Sequence, residues 1–244
     1  MKAIAFVFAA MLSASAQSGL NRPFLGQMID HERLLRPLYG AGGSFRAGPP
    51  VAAQVLSAAC SLTLCLAKTE SAIVSANATI PAPPGDAKIA LDAAGATLYF
   101  PQSGQFARWQ NGELTPLNLS VDGTVLSIAM RSSGLTLAVL RSGVVWIKAA
   151  DGTVLDSLPA ATGAVLVLTD ATIYVASDSL VLRKIDGSEL RFPATGVTSL
   201  FALGDGYAEA ITPSTLYALR TVAGREQLLQ LPEPVPESSK ERSR

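Results

Sequence analysis

Apolar residues in this chain come in short runs cut by glycine-bearing turns, and the clearest case is Leu135 to Leu158. Leu135–Leu140 is an apolar, β-prone run. Arg141-Ser142-Gly143 turns it, and Val144–Lys148 runs back. Asp151-Gly152 predicts a two-residue type I′ hairpin, because both central residues of that turn need positive φ, which Asp and Gly tolerate. Thr153–Leu158 then returns as a third strand.

The rest of the chain repeats this grammar. Each unit is read as four strands, a to d from inside to outside. The c–d turn recurs at Asn111-Gly112, Asp151-Gly152 and Asp186-Gly187, and in weaker form at Ala223-Gly224, Ala76-Asn77 and Asp30-His31-Glu32. The clearer turns are 40, 35 and 37 residues apart (112 to 152, 152 to 187, 187 to 224). Strands in the b position are predicted at Leu62–Leu66, Thr97–Phe100, Leu135–Leu140, Thr172–Ala176 and Tyr207–Ile211. Outer d strands follow at Glu113–Leu117, Thr153–Leu158, Glu189–Phe192 and Glu226–Leu231. Inner a strands are predicted at Val51–Leu56, Ala87–Leu91, Val125–Met130, Ala164–Leu168 and Val197–Leu203. The a strands are the most continuously apolar, as suits a crowded axis. The d strands carry Glu113, Asp156, Glu189, Arg191 and Glu226, as suits a rim.

A fixed period near 40 residues with four short strands per unit is the signature of propeller blades. A lone four-stranded sheet is only marginally stable and needs neighbours to cover its faces. A β-sandwich also has short strands and frequent turns, but it does not predict this repeated order. The grammar resembles the repeat propellers of the WD and NHL type over Pro23 to Leu231. The WD dipeptide and a clear Gly-His pair are absent, and Trp109 and Trp146 sit at different offsets from their turns. The resemblance implies a fold and, by analogy, a binding surface on one face of the ring. The expected fold class is therefore all-β: a β-propeller-like array of about five four-stranded antiparallel blades plus an N-terminal hairpin, Pro23–Ile29 with Arg33–Leu38, read as a c–d pair. Five blades with an appendage, an incomplete ring of six, and an open stack capped by a second copy all fit this pattern.

The two ends differ from the body. Met1-Lys2, the apolar Ala3–Leu12 and the small residues Ser13–Ala16 have the order of a secretory leader, with cleavage expected near Ala16–Gln17. The remainder is expected to be secreted or periplasmic. No later run is long and apolar enough for a membrane span. Residues 17–231 form one domain in this reading, and Pro232–Arg244, proline-rich and then charged, is a tail that cannot bury apolar surface. Of the 244 residues, 49% are hydrophobic and 16% charged, which marks a globular body. A formal net charge of zero gives no footprint for nucleic acid.

Candidate chemistry is thin. Cys60 and Cys65 are the only cysteines, and export permits a disulfide between them. Their odd separation opposes a bridge within one straight strand, and a turn at Cys60 relaxes that. Two buried thiols remain the alternative. His31, the sole histidine, has no Cys or His companion for a typical transition-metal site, and no Gly-x-Ser-x-Gly elbow occurs. Acidic residues positioned to approach an axis are Asp86, Asp92, Asp170, Asp205 and Glu209. Asp92, Asp170 and Asp205 fall near a–b turns, one per blade, where aspartate is also a common turn residue. Walker, Rossmann and EF-hand patterns are missing, and Asn77 and Asn118 lie in glycosylation sequons. No cofactor or metal is implied. The reading is a binding or scaffold module for a protein or carbohydrate partner, more than an enzyme. The alternative is a propeller hydrolase or lactonase acting on a sugar-like substrate with axial carboxylates or an axial metal.

Overall fold

The computed structural model describes residues 23–232 apart from 42, 62, 160–162 and 205. The expected leader, the expected tail beyond Pro232 and Asp205 lie outside these residues. The described residues form 23 β-strands in six antiparallel sheets and no helix. Blade 1 is β1 (Phe24–Ile29), β2 (Leu35–Ala41) and β3 (Ser44–Ala47). Blade 2 is β4 (Ser57–Cys60), β5 (Cys65–Lys68), β6 (Ala72–Val74) and β7 (Thr79–Pro81). Blade 3 is β8 (Lys88–Asp92), β9 (Gly95–Phe100), β10 (Gln105–Gln110) and β11 (Glu113–Leu117). Blade 4 is β12 (Thr124–Arg131), β13 (Gly134–Arg141), β14 (Val144–Ala149) and β15 (Val154–Leu158). Blade 5 is β16 (Val165–Val167), β17 (Ala171–Ala176), β18 (Ser179–Lys184) and β19 (Glu189–Pro193). Blade 6 is β20 (Ser199–Gly204), β21 (Tyr207–Ile211), β22 (Leu216–Arg220) and β23 (Gln227–Gln230).

The four-strand grammar holds in blades 2 to 6, with strands paired strictly in chain order. The turns differ in detail. Asn111-Gly112 has both residues at positive φ, 53° and 84°, as a type I′ turn requires. Asp151-Gly152 does not follow that expectation. Only Gly152 is left-handed, at 90°, and Asp151 instead accepts the Thr153 N–H through its carboxylate at 2.9 Å. Asp186-Gly187 repeats this arrangement with Ser188. An aspartate that can bind the amide two residues on has no need of the strained φ.

The hydrophobic core is not one mass but six clusters, and each spans two neighbouring blades. Ile173, Leu180 and Leu182 of blade 5 meet Leu200, Ala208 and Leu219 of blade 6. Met28 and Leu38 of blade 1 meet Leu203, Leu216 and Ala218 of blade 6. Ile29 and Leu35 of blade 1 also meet Val55 and Ala67 on the blade 2 side. Six sheets in an open row would have five seams. The sixth, between blade 6 and blade 1, closes the ring.

Blade 1 corrects the expected count of about five blades and the reading of its hairpin. Gly26 lies beside Leu203 near the end of β20, while Ile29 reaches Glu209 and His31 reaches Thr212, further down blade 6. β1 therefore runs opposite to β20, as a b strand does. The hairpin predicted as c–d is b–c, and β3, hidden among the glycines of the Gly40–Gly48 stretch, is d. No a strand accompanies them among the described residues. The axis is lined instead by β4, β8, β12, β16 and β20, with β20 lying against β4 and β1 touching both. This approach needs glycine on each side. A Cβ on Gly26 would lie 1.7 Å from the Leu203 carbonyl oxygen, and one on Gly204 would lie 2.3 Å from that of Leu25.

The inner strand expected at Val51–Leu56 is also displaced, to Ser57–Cys60. Its residues are small enough to escape an apolar pattern, while Val55, ahead of it, is a seam residue. The outer strands are shielded from edge pairing. Pro81, Pro116 and Pro193 sit within β7, β11 and β19, Pro159 follows β15, and β14–β15 carries a register shift. Prolines and bulges remove the donors that a foreign strand would use.

Because every seam is needed for closure, Leu38→Ala and Leu180→Ala, both at residues with 0% exposure, should each cost about 2–5 kcal/mol in chemical denaturation. An open array would tolerate the first change far better than the second.

Candidate axial channel

The inner strands leave a cavity of about 1310 Å³ along the axis. Inner strands in a ring have no backbone partner on their axial edge, so side chains bridge the blades. Ser57 Oγ donates to Ala87 O at 2.7 Å and accepts from Ala87 N at 3.2 Å. Ser127 Oγ accepts from Val167 N at 3.0 Å. Arg131, at the end of β12, donates to Leu168 O, Ala171 O and Thr172 Oγ1 around the a–b turn of blade 5. Ser57 and Ala87 stand at the starts of β4 and β8, and along β12 Ser127 meets Val167 while Arg131, further on, meets Leu168, so these inner strands run side by side in one direction.

The wall is small and apolar, with Ala58, Leu126, Leu166, Phe201 and Ala202 partly exposed along it. Where the inner strands begin, the mouth carries Thr124, Thr198 and the Asp86–Lys88 ion pair, 2.8 Å apart. Where they end, it carries Ser61, Thr169, Asp170, Tyr207 and Thr221. Cys60 and Cys65 stand at this second mouth. They are directly opposed partners across the β4–β5 hairpin, with sulfurs 1.98 Å apart and Cα atoms 4.0 Å apart. The turn through Ser61, whose N–H donates to Leu64 O, brings both side chains to one face despite their odd separation. Antiparallel neighbours that do not share ladder bonds approach most closely.

The described acidic candidates do not share a site. Asp92 is clamped within its own blade by the Arg108 guanidinium, which binds both carboxylate oxygens, and it accepts the Ala94 N–H at 2.8 Å. The Arg108 bond holds its carboxyl below the usual carboxylate range. Asp170 is exposed at the second mouth, and Asp86 is paired with Lys88 at the first. Glu209 is buried in the seam between blades 6 and 1, away from the channel. Asp205 lies outside the described residues. Among those described, no group of three or more His, Cys, Asp and Glu could hold a metal ion. His31 is tied rather than free: its Nε2–H donates to Thr212 O at 2.9 Å, joining the b–c turns of blades 1 and 6. Sequence reasoning missed Arg108, Arg131, Ser57 and Ser127, because their partners lie in other turns or other blades and no local pattern marks them.

The chain is thus a six-bladed β-propeller with a channel along its axis. No family model matches it, and no curated protein matches it by sequence. In fold it is similar to PorZ, a bacterial surface component of the type-IX secretion system of Porphyromonas gingivalis. The TM-score is 0.50 and the identity 12%, over 84% of this chain and 30% of that one. It thus spans under a third of the length of PorZ. It is also similar to a functionally unknown protein from Desulfotomaculum acetoxidans, at TM-score 0.48, 12% identity and 85% of each chain. A third likeness is to BBS1N in its complex with ARL6DN, at TM-score 0.47, 13% identity, 86% of this chain and 76% of that one. At 12% identity the likeness to PorZ speaks to fold alone.

The clamp on Asp92 has a pH signature. Because folding lowers its pKa, the stability it contributes is present above the ordinary carboxylate range and lost as pH falls through the folded value. Asp92→Asn should cost about 1 kcal/mol at pH 7, measured by denaturant melts. The gap to the parent protein should close as the pH drops below about 4.

Proposed function

We propose that the protein is an exported β-propeller acting as a binding or scaffold module, which takes a protein or carbohydrate partner on the face where the inner strands end. The observation that carries this reading is the axial channel opening among hydroxyls and the Asp170 carboxylate at that mouth. Ligand sites are concave and mostly apolar, with a few polar groups that fix orientation. Partly exposed Leu126, Leu166 and Phe201 offer apolar surface, and Ser61, Thr169, Tyr207 and Thr221 offer hydrogen bonds. The leader-like order of Met1–Ala16 and the opposed pair Cys60 and Cys65 suit an oxidising compartment outside the cytoplasm, where that pair would be a disulfide. The hydrolase or lactonase alternative loses its motivation, because the described acids among its candidates stand apart.

Export predicts a mature protein beginning at Gln17, with mass two hydrogens lower than the fully reduced chain. Intact-mass spectrometry before and after reduction checks both. Leu166→Arg puts a charge in the channel wall. It should abolish capture of the partner from the exported fraction while shifting Tm by only a few degrees; unchanged capture would remove the channel from the binding site. A Tm that rises with added calcium or zinc would favour the alternative, since a ligand bound only to the folded state stabilises it.

A further inference from the structure

Blade 1 lacks an inner strand among the described residues, so the inward N–H groups of β1 have no ladder partner there. Glu209, on β21, takes one of them: its Oε2 accepts the Ile29 N–H at 3.0 Å. Its residue is 1% exposed and its other oxygen, Oε1, has no hydrogen-bond partner. Its cross-strand neighbours are Phe201 on β20 and Ala218 on β22, both apolar. The charged and titratable groups facing this seam are few. From blade 1 come Asp30, held by Arg36 Nε at 2.7 Å and by the N–H groups of Glu32 and Leu34, and His31, bonded to Thr212 O. From blade 6 comes Arg220, whose guanidinium lies 5.9 Å from the centre of the Tyr207 ring. None of these cations bonds to Glu209. A carboxylate here would have one N–H donor, an apolar surround and the Asp30 carboxylate nearby, and such a charge is costly to bury.

We propose that Glu209 is a proton-operated latch that seats blade 1 against blade 6. With the carboxyl neutral, β1 is docked; with it ionised, the seam between the two blades loosens. The inner ring does not open with it, because β20 lies directly against β4. Among the described residues, blade 1 is therefore the one sheet that can shift without breaking the axial wall. Burial and the Asp30 carboxylate push the Glu209 carboxyl up to about 8, with the Ile29 N–H opposing in part. A group whose pKa is raised on folding holds a proton that the released state gives up. The stability it contributes is full below the ordinary glutamate range and is lost as pH rises through about 8.

The test is amide hydrogen exchange on the full chain, corrected for the intrinsic rate at each pH. The opening constant for peptides covering 24–41 should rise about tenfold per pH unit between pH 5.5 and 7.5, the slope of one linked proton, and level off above 8. Peptides in blades 3 and 4 should not follow. Glu209→Gln should flatten the response in 24–41. A flat response in the parent protein, or the same slope in Glu209→Gln, would overturn the proposal. Should that variant fail to fold, infrared titration of the parent protein decides. One protonated carboxyl that persists above pH 6.5 and ionises near 8 supports the latch, and complete ionisation of carboxyls by pH 6 refutes it.

Discussion

A small antiparallel sheet with apolar residues on both faces cannot stand alone in water, and the rest of this molecule follows from how that surface is covered. Each blade buries its two faces against its neighbours, and the six resulting clusters share the work around the ring. Fully buried aliphatic side chains such as Leu98, Ile147, Ile173 and Leu180 each contribute about 1.5–3 kcal/mol relative to exposure. An open row would leave two end faces wet. Closing the row covers them, so ring closure is a packing requirement before it is a functional device.

Closure has a geometric consequence at the axis. Inner strands pair with their own blade on one edge and face the channel on the other, so blade-to-blade polar contacts fall to side chains. Ser57, Ser127 and Arg131 make such contacts between successive blades, and Glu209 makes one where the last blade meets the first. The rim carries the opposite condition, exposed strand edges, and prolines in or beside most outer strands block them. The interior is thus a closed ring of inner strands around an axial bore. Chemistry is left to the mouths, where hydroxyls, Asp170 and the Cys60–Cys65 hairpin gather.

Local features of this plan were legible in the chain. Tyr207–Ile211 and Glu113–Leu117 are predicted residue for residue, because hairpin turns and β-branched runs are short-range signals. Blade 2 was less legible. Its inner strand, Ser57–Cys60, is made of small residues, and the more apolar Val51–Leu56 before it drew the prediction instead. Blade 1 was misread because β3 lies among glycines and because a blade without its inner strand breaks the repeat. The site was harder still. Asp92 looks the same in sequence whether it faces an axis or an arginine, and only the fold puts Arg108 against it. Glu209 was noticed as an acid near the axis. Its burial in the first-to-last seam depends on residues 180 positions away, which no periodicity reports.

In a closed ring blades 6 and 2 are separated by blade 1 alone, which a single distance measurement checks. Spin labels at exposed Ser214 and Ser71, in the b–c turns of blades 6 and 2, should give a separation similar to or shorter than labels at Ser103 and Ser177, in the corresponding turns of blades 3 and 5. Both pairs are two blades apart in a closed ring. A Ser214–Ser71 distance far longer than the Ser103–Ser177 distance would place blades 6 and 2 far apart in an open array and rule out ring closure.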